Sequence, residues 1–233
     1  MSKTIWMYWH DGFSKAPQIT QECLKSWKKW NPDYNIIELN DNNLKDYISK
    51  DIAMPRSLAA RSDIIRINLL REHGGYWSDA TVLCNRPIDE WIGTYSQNGF
   101  WAFSNPTPNN LICSWFLYGN KDSYIVNTFC DAVNEYWTNG RKQPDVYLWF
   151  HGIFDQLFYK DSYIHDTWSR TRHYAANWQP IATDGTNPHY FAPYQPDRLK
   201  QLPFKNMTAP MYKLTRGASD MLINNHLIQR LIK

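Results

Sequence analysis

Apolar and polar positions follow two rhythms along the chain, and the switches between them outline an alternating order of strands and helices. Thr4 to Trp9 is rich in β-formers and runs into Asp11-Gly12, a turn signal, which predicts a first strand. Pro17 suits a first helical position. From there Ile19, Cys23, Trp27 and Trp30 recur at helical spacing until Asn31-Pro32 stops the helix. Tyr34 to Leu39 reads as a second strand, and Asp41 is expected to cap a short helix through Tyr47. A longer helix is expected from Leu58 to Glu72, with Ala60, Ile64, Ile67 and Leu70 or Arg71 on its sheet-facing side and Gly74-Gly75 ending it.

Tyr76 to Cys84 resumes extended character as one run, Pro87 to Ile92 reads as a short helix, and Gly99 to Ser104 as another strand. Pro106 and Pro108 mark a loop, followed by an apolar stretch from Leu111 to Tyr118. Helices are expected at Tyr124 to Trp137, on the stripe Val126, Phe129 or Cys130, Val133 and Trp137, and at Leu148 to Tyr159, on Ile153, Phe154, Leu157 and Phe158. His165 to Pro210 is dominated by aromatics, prolines and polar residues and reads as long loops. Met221 to Ile232 has the spacing of an amphipathic helix whose Met221, Ile228, Leu231 and Ile232 suit either core or membrane surface, core packing being the simpler use. Alternating strands and helices predict an α/β sandwich.

Length and composition narrow this further. At 233 residues the chain fits one domain better than two, and its 43% hydrophobic content supports a sizeable core. No apolar run approaches the roughly 20 residues of a membrane-spanning helix. The opening MSKTIWMYWHDG lacks the long apolar stretch and small-residue cleavage site of a secretory signal, so the expectation is a cytoplasmic protein. Cys23, Cys84, Cys113 and Cys130 are widely spaced and read as reduced core residues. A formal charge of +3 is too small to argue for nucleic acid, although it suits weak attraction to anionic lipid. The 12 Trp and 15 Tyr are unusual for this length. Most belong in a core, but sugar faces and nucleobases stack on such rings as well, so a few exposed ones are candidate platforms.

Candidate chemistry concentrates in SDIIRINLLREHGGYWSDAT, Ser62 to Thr81. Asp63 and Arg66 lie three apart on the expected helix and share a face. Gly74-Gly75 then turns the chain into a strand ending at Asp79, where open α/β sheets build ligand crevices, and Thr81 falls on the same side by period-two alternation. Each residue taken alone has a plainer reading: Asp63 with Arg66 as a surface ion pair, Asp79 as a turn cap. His151 and Asp155, four apart on an expected helix near Tyr147 and Gln156, suit either a sugar site or an ordinary helix-surface pair.

The segment ARSDIIRINLLREHGGYWSDATVLCNRPIDEWI resembles the S-D-x-x-R-x-x-L-L-x-x-x-G-G-x-x-x-D stretch of the capsular polysaccharide synthesis family, which is related to glycosyltransferase family 32. IWMYWHDG with APQITQECLKSWKKWNPDYNIIELN is similar to that family's first β-α-β unit, so the resemblance covers most of the first 93 residues. It implies a single GT-A (Rossmann-like) domain with a mixed central sheet flanked by helices, residues 1–104 binding a nucleotide sugar and residues 105–233 forming a smaller acceptor-binding part. It also implies a nucleoside-diphosphate-sugar donor and retention of anomeric configuration. Carried over position by position, Ser62, Asp63 and Arg66 match the donor-sugar site, Trp9 a base-stacking position, and Asp79 the first aspartate of a D-x-D motif that holds Mn²⁺ or Mg²⁺. Thr81 departs from the second acidic position and is a poorer cation ligand than a carboxylate. YLWFHGIFDQL is similar to a family stretch that would set His151 or Asp155 near the sugar, and Lys213 in YKLTRG matches a late basic position for the diphosphate, with Arg216 beside it.

The expectation is therefore a hexosyltransferase acting on a lipid-linked acceptor of a bacterial surface glycan, at the inner face of the membrane, with UDP as the favoured donor base. No carboxylate is placed as a nucleophile, so the resemblance implies departure and attack on one sugar face. Two other classes stay open: a non-catalytic carbohydrate-binding protein, and a sugar-phosphate transferase.

Overall fold

A computed structural model describes residues 2–138, 140–176 and 208–214, and statements of structure below refer to these. Arg216, the expected helix from Met221 to Ile232, and most of the expected long loops lie outside the described residues. Strand β1 (Thr4–Tyr8) leads through α1 (Gln18–Trp30) to β2 (Asn35–Leu39), and α2 (Leu58–His73) leads into β3 (Gly75–Ser78) and β4 (Val82–Cys84). Next come β5 (Phe100–Thr107), β6 (Asn110–Gly119), α3 (Tyr124–Tyr136), α4 (Trp149–Lys160), α5 (Ser162–Arg170) and β7 (Met211–Lys213). The central sheet has the order β2-β1-β3-β6-β5: β1 is parallel to β2 and β3, while β6 is antiparallel to β3 and β5. The expected mixed sheet flanked by helices is present. The expected division at residue 104 falls inside the β5–β6 hairpin, so residues on both sides of it build the sheet.

Period-two alternation sends the two faces of each strand into different cores. Trp6, Tyr8, Trp77, Ala102 and Leu117 face α2, α3, α4 and α5. Ile5, Met7, Tyr76, Trp101, Phe103, Phe116 and Tyr118 face α1, β4 and the 3₁₀ turns of residues 88–94. Helix α2 was expected to show one apolar face, yet Ile64, Ile65, Ile67, Leu69 and Leu70 are all buried. The reason is α3, whose Val126, Phe129, Cys130 and Val133 cover the side away from the sheet. Asn68 and Asn134 exchange amide hydrogen bonds of 3.1 and 3.0 Å across that contact.

Two glycines bring the helix end and the strand together. Gly74 closes α2 at φ 67°, and Gly75 at φ 99° starts β3 so close to β1 that an added Cβ would lie 2.6 Å from the Thr4 carbonyl oxygen. Only glycine fits there.

Several local expectations are corrected. The run from Tyr76 to Cys84 is two strands in different sheets, because the chain turns at Asp79, whose carbonyl accepts from Val82 N at 2.9 Å. Pro106 sits within β5, and the turn of the hairpin is at Pro108-Asn109. Asp41 caps no helix: it receives the Tyr8 hydroxyl and Arg61 Nη1, and only a 3₁₀ turn forms at Leu44–Asp46. From His165 on, α5 falls in the stretch expected as loop, because Ile164 and Trp168 are its only buried residues, but Asp161 caps it by accepting from Ile164 N at 3.0 Å. Strand β7, also unforeseen, pairs antiparallel with β4, setting Lys213 opposite Val82. All four cysteines are buried free thiols, as expected.

Candidate active site

Because β1 and β3 run parallel side by side, the residues that follow them, Trp9 and Asp79, emerge at the same edge of the sheet. That edge opens on a cavity of about 640 Å³. The first turns of α2, from Ser57 to Arg66, form one wall and aim the positive end of the helix dipole at it. The segment from Pro144 to Leu148, with Trp149 and His151 of α4, forms another, and β7 contributes Lys213.

Its polar floor is a chain of charges. Arg66 Nη1 lies 3.0 Å from Asp63 Oδ1, and Nη2 lies 3.1 Å from Asp79 Oδ1. Lys213 Nζ reaches Asp79 Oδ2 at 2.7 Å and Thr81 Oγ1 at 2.9 Å. Trp77 donates its indole N–H to Asp79 Oδ1 at 2.9 Å. Arg66 is further fixed by donating to the Ser62 carbonyl and hydroxyl, each at 3.1 Å, and to the Ser114 carbonyl at 2.5 Å. Its guanidinium lies over the Trp77 and Phe150 rings, 5.1 and 5.7 Å from their centroids. Asp63 and Arg66 are thus no surface pair; both are buried. Thr81 does converge with Asp79, but the turn and the grip of β7 bring it there rather than strand alternation: Leu214 N donates to the Thr81 carbonyl at 2.9 Å.

The two acids titrate in opposite directions. Burial pushes Asp63 up to about 7, the nearby Arg66 offsetting this only in part and the Asp79 charge adding to it. Burial alone would raise Asp79 as well, but Lys213 and Arg66 beside it, with the Lys213 and Trp77 hydrogen bonds, hold it below the usual carboxylate range. His151 is lowered to about 4, first by burial and then by the Arg66 charge, so its imidazole is neutral near pH 7. Its Nδ1 is buried without a hydrogen-bond partner, in a side chain that lines the cavity.

Asp155 is not brought into the site. Its carboxylate turns to the start of β6, accepting from Leu111 N and from Asn110 Nδ2, each at 3.0 Å. Sharing a helix face with His151 placed it near the cavity in sequence, but the hairpin claims both of its oxygens. Trp77, Ser114 and Phe150, which orient Asp79 and Arg66, were missed. Trp77 alone left a signal, standing two positions before Asp79 on the strand.

Among the described residues the donor set does not suit a divalent cation. Hard divalent ions take several oxygen ligands, mostly carboxylates, carbonyls, phosphates and waters. Here both oxygens of Asp79 are engaged by cations, Thr81 offers a hydroxyl already holding the same ammonium, and Arg66 lies beside them. Among the described residues no group of three or more His, Cys, Asp and Glu side chains is arranged to hold a metal.

The sequence profile of the family described as capsular polysaccharide synthesis protein matches residues 1–219, so the chain belongs to that family. It is 26% identical over 174 residues to the glycosyltransferase afumC of Aspergillus fumigatus, covering 67% of this chain and 41% of that protein. It is 22% identical over 163 residues to inositol phosphoceramide mannosyltransferase 3 of Schizosaccharomyces pombe, covering 59% of this chain and 46% of that one. The chain thus spans less than half the length of these curated relatives. The fold is shared with a glycosyltransferase involved in glycosylation of the major capsid of PBCV-1, at a TM-score of 0.51 and 13% identity over 98% of this chain and 97% of that one. This is the GT-A type of α/β fold expected from the sequence.

Proposed function

We propose that this member of the capsular polysaccharide synthesis family transfers a hexose from a nucleoside-diphosphate sugar, UDP-linked in the favoured reading, to a hydroxyl of a lipid-linked glycan precursor, with retention of configuration. The observation that carries the reading is the charge chain Asp63–Arg66–Asp79–Lys213 on the floor of a cavity at the strand ends. Open α/β sheets bind ligands at that edge. Arg66 and Lys213 would face the diphosphate, whose charge grows as the glycosidic bond breaks, and fixed cations in a buried site stabilise it strongly. Asp63 and the unpaired Nδ1 of His151, which line the cavity, would hold sugar hydroxyls, and Trp9 would stack on the base. Among the described residues that line the cavity, no carboxylate stands apart from this charge chain as a nucleophile, which favours attack on the face the diphosphate leaves.

The acceptor is proposed from the family's description and from a relative whose name gives inositol phosphoceramide as its acceptor. Tyr147, 86% exposed at the cavity mouth, offers a flat ring to an incoming glycan. No described helix is long and apolar enough to cross a membrane, and contact with lipid would be peripheral, at the inner face of the membrane. The Mn²⁺ or Mg²⁺ expected at Asp79 forms no part of this reading, for the charge reason given above.

Incubation with a panel of nucleoside-diphosphate sugars tests the proposal. Release of a nucleoside diphosphate supports glycosyl transfer. Release of a nucleoside monophosphate would instead establish sugar-phosphate transfer, and glycan binding without nucleotide binding would establish a carbohydrate-binding protein.

A further inference from the structure

We infer that Lys213 takes the place of the divalent cation: its ammonium is the positive charge that binds the donor diphosphate and offsets the leaving group, so that transfer proceeds without metal. This rests on the donor-site reading above and deepens it.

Lys213 Nζ stands between Asp79 Oδ2 and Thr81 Oγ1, at 2.7 and 2.9 Å, which are the two positions of the D-x-D pattern. A carboxylate pair needs a divalent ion to become attractive to a diphosphate, whereas one carboxylate and one hydroxyl are matched by a single monovalent cation. The placement is built into the backbone. Strand β7 pairs with β4 in the register Lys213↔Val82, Tyr212↔Leu83 and Met211↔Cys84, and Leu214 N is bonded to the Thr81 carbonyl. The lysine stem is consequently anchored on both sides of its Cα, and its side chain is only 19% exposed. An ammonium has three donor hydrogens. Asp79 and Thr81 take two, and the cavity that Lys213 lines offers the third to a phosphate oxygen.

A divalent ion binding here would have to displace this ammonium from Asp79 while leaving it, and Arg66, close to the new charge. Binding the anionic diphosphate instead brings negative charge to a floor where Arg66 and Lys213 face Asp79 and an Asp63 that titrates about 7. In the reaction the bond from the anomeric carbon to the β-phosphate oxygen breaks and that oxygen takes the electron pair. The acceptor oxygen bonds the anomeric carbon, and its proton passes to the departing phosphate. The products are the glycoside and a nucleoside diphosphate, with Lys213 hydrogen-bonded to the phosphate throughout.

The test titrates UDP and GDP calorimetrically into the full chain in EDTA and in Mn²⁺, for the wild type, Lys213→Met, and Lys213→Met/Thr81→Asp. Donor turnover and Mn²⁺ electron paramagnetic resonance are followed alongside. Wild-type diphosphate affinity should change by less than about twofold between EDTA and Mn²⁺. Lys213→Met should lose affinity and turnover by at least about tenfold. The double variant should acquire bound Mn²⁺ that the wild type lacks, and regain diphosphate affinity only with it. Lys213→Arg, together with the circular dichroism of each variant, separates loss of charge from loss of fold. A wild-type affinity or turnover that collapses in EDTA would overturn the inference and leave the donor reading standing. So would Lys213→Met turning over at the wild-type rate. Absence of diphosphate binding under both conditions would overturn both.

Discussion

At the scale of single residues, the site is governed by which charges are compensated. Asp79 is only partly exposed yet ionised because two cations and an indole N–H address its oxygens. Asp79→Asn keeps the shape and removes the counter-charge, and donor turnover is expected to fall on the order of 10²–10³-fold with an unchanged circular dichroism spectrum; wild-type turnover in that variant would remove Asp79 from the mechanism. His151 and Asp63 make opposed contributions to stability against pH. The folded-state pKa of His151 lies below its ordinary 6.5, so the folded protein binds fewer protons than the unfolded chain and loses stability as pH falls from about 6.5 to about 4. Asp63 is raised from 3.8 to about 7, so the folded protein binds more protons and loses stability as pH rises across that window. The wild-type profile should therefore be flat in mild acid. His151→Gln should gain stability relative to the wild type as pH drops below about 6, by up to the order of 3 kcal/mol, and Asp63→Asn should gain relative to the wild type as pH rises towards 8. Chemical melts of the three proteins from pH 5 to 8 check both signs.

At the scale of elements, the parts that were legible in the sequence are those with a full period to read. α1, α2, α3 and α4 each carry several apolar positions at helical spacing, and Gly74-Gly75 marks a sharp helix-to-strand turn. What escaped was short or defined by its partner. β7 is three residues, Met-Tyr-Lys, and only its pairing with β4 makes it a strand. Asp79 and Thr81 are expected together on strand alternation, but a turn and the pairing of β7 bring them together instead. Asp155 shows the opposite failure, since i, i+4 spacing with His151 fixed its helix face but not its partner. Two expectations follow. Asp155→Ala should cost about 1–3 kcal/mol by releasing the hairpin contacts while leaving kcat of the folded enzyme near the wild-type value. Gly75→Ala should cost more than about 2 kcal/mol, because the atom in its way is the Thr4 backbone carbonyl, which cannot rotate aside. Denaturant titration measures both, and a neutral Gly75→Ala would contradict the close approach of β3 to β1.

At the scale of the molecule, one sheet separates two aromatic-rich cores, and the excess of tryptophan is largely explained by them: Trp27, Trp77 and Trp101 are completely buried or nearly so. Trp9, only partly buried, lines the cavity, and the core residues Trp115 and Trp149 also border it. Donor binding should therefore quench or shift only part of the intrinsic fluorescence, and Trp9→Ala should remove much of that response; a signal unaffected by Trp9→Ala would argue against base stacking there.

The bond between Lys213 and Asp79 joins residues 134 positions apart. Contacts of such long sequence separation close late in folding, since the entropy of the intervening loop must be lost first, and a three-residue strand holding one of them is among the first parts to open again. The donor site is therefore assembled last and dismantled first. As denaturant rises, turnover should fade before the fluorescence of the buried tryptophans changes, so that catalytic competence and the folded state are separate transitions on one denaturation curve.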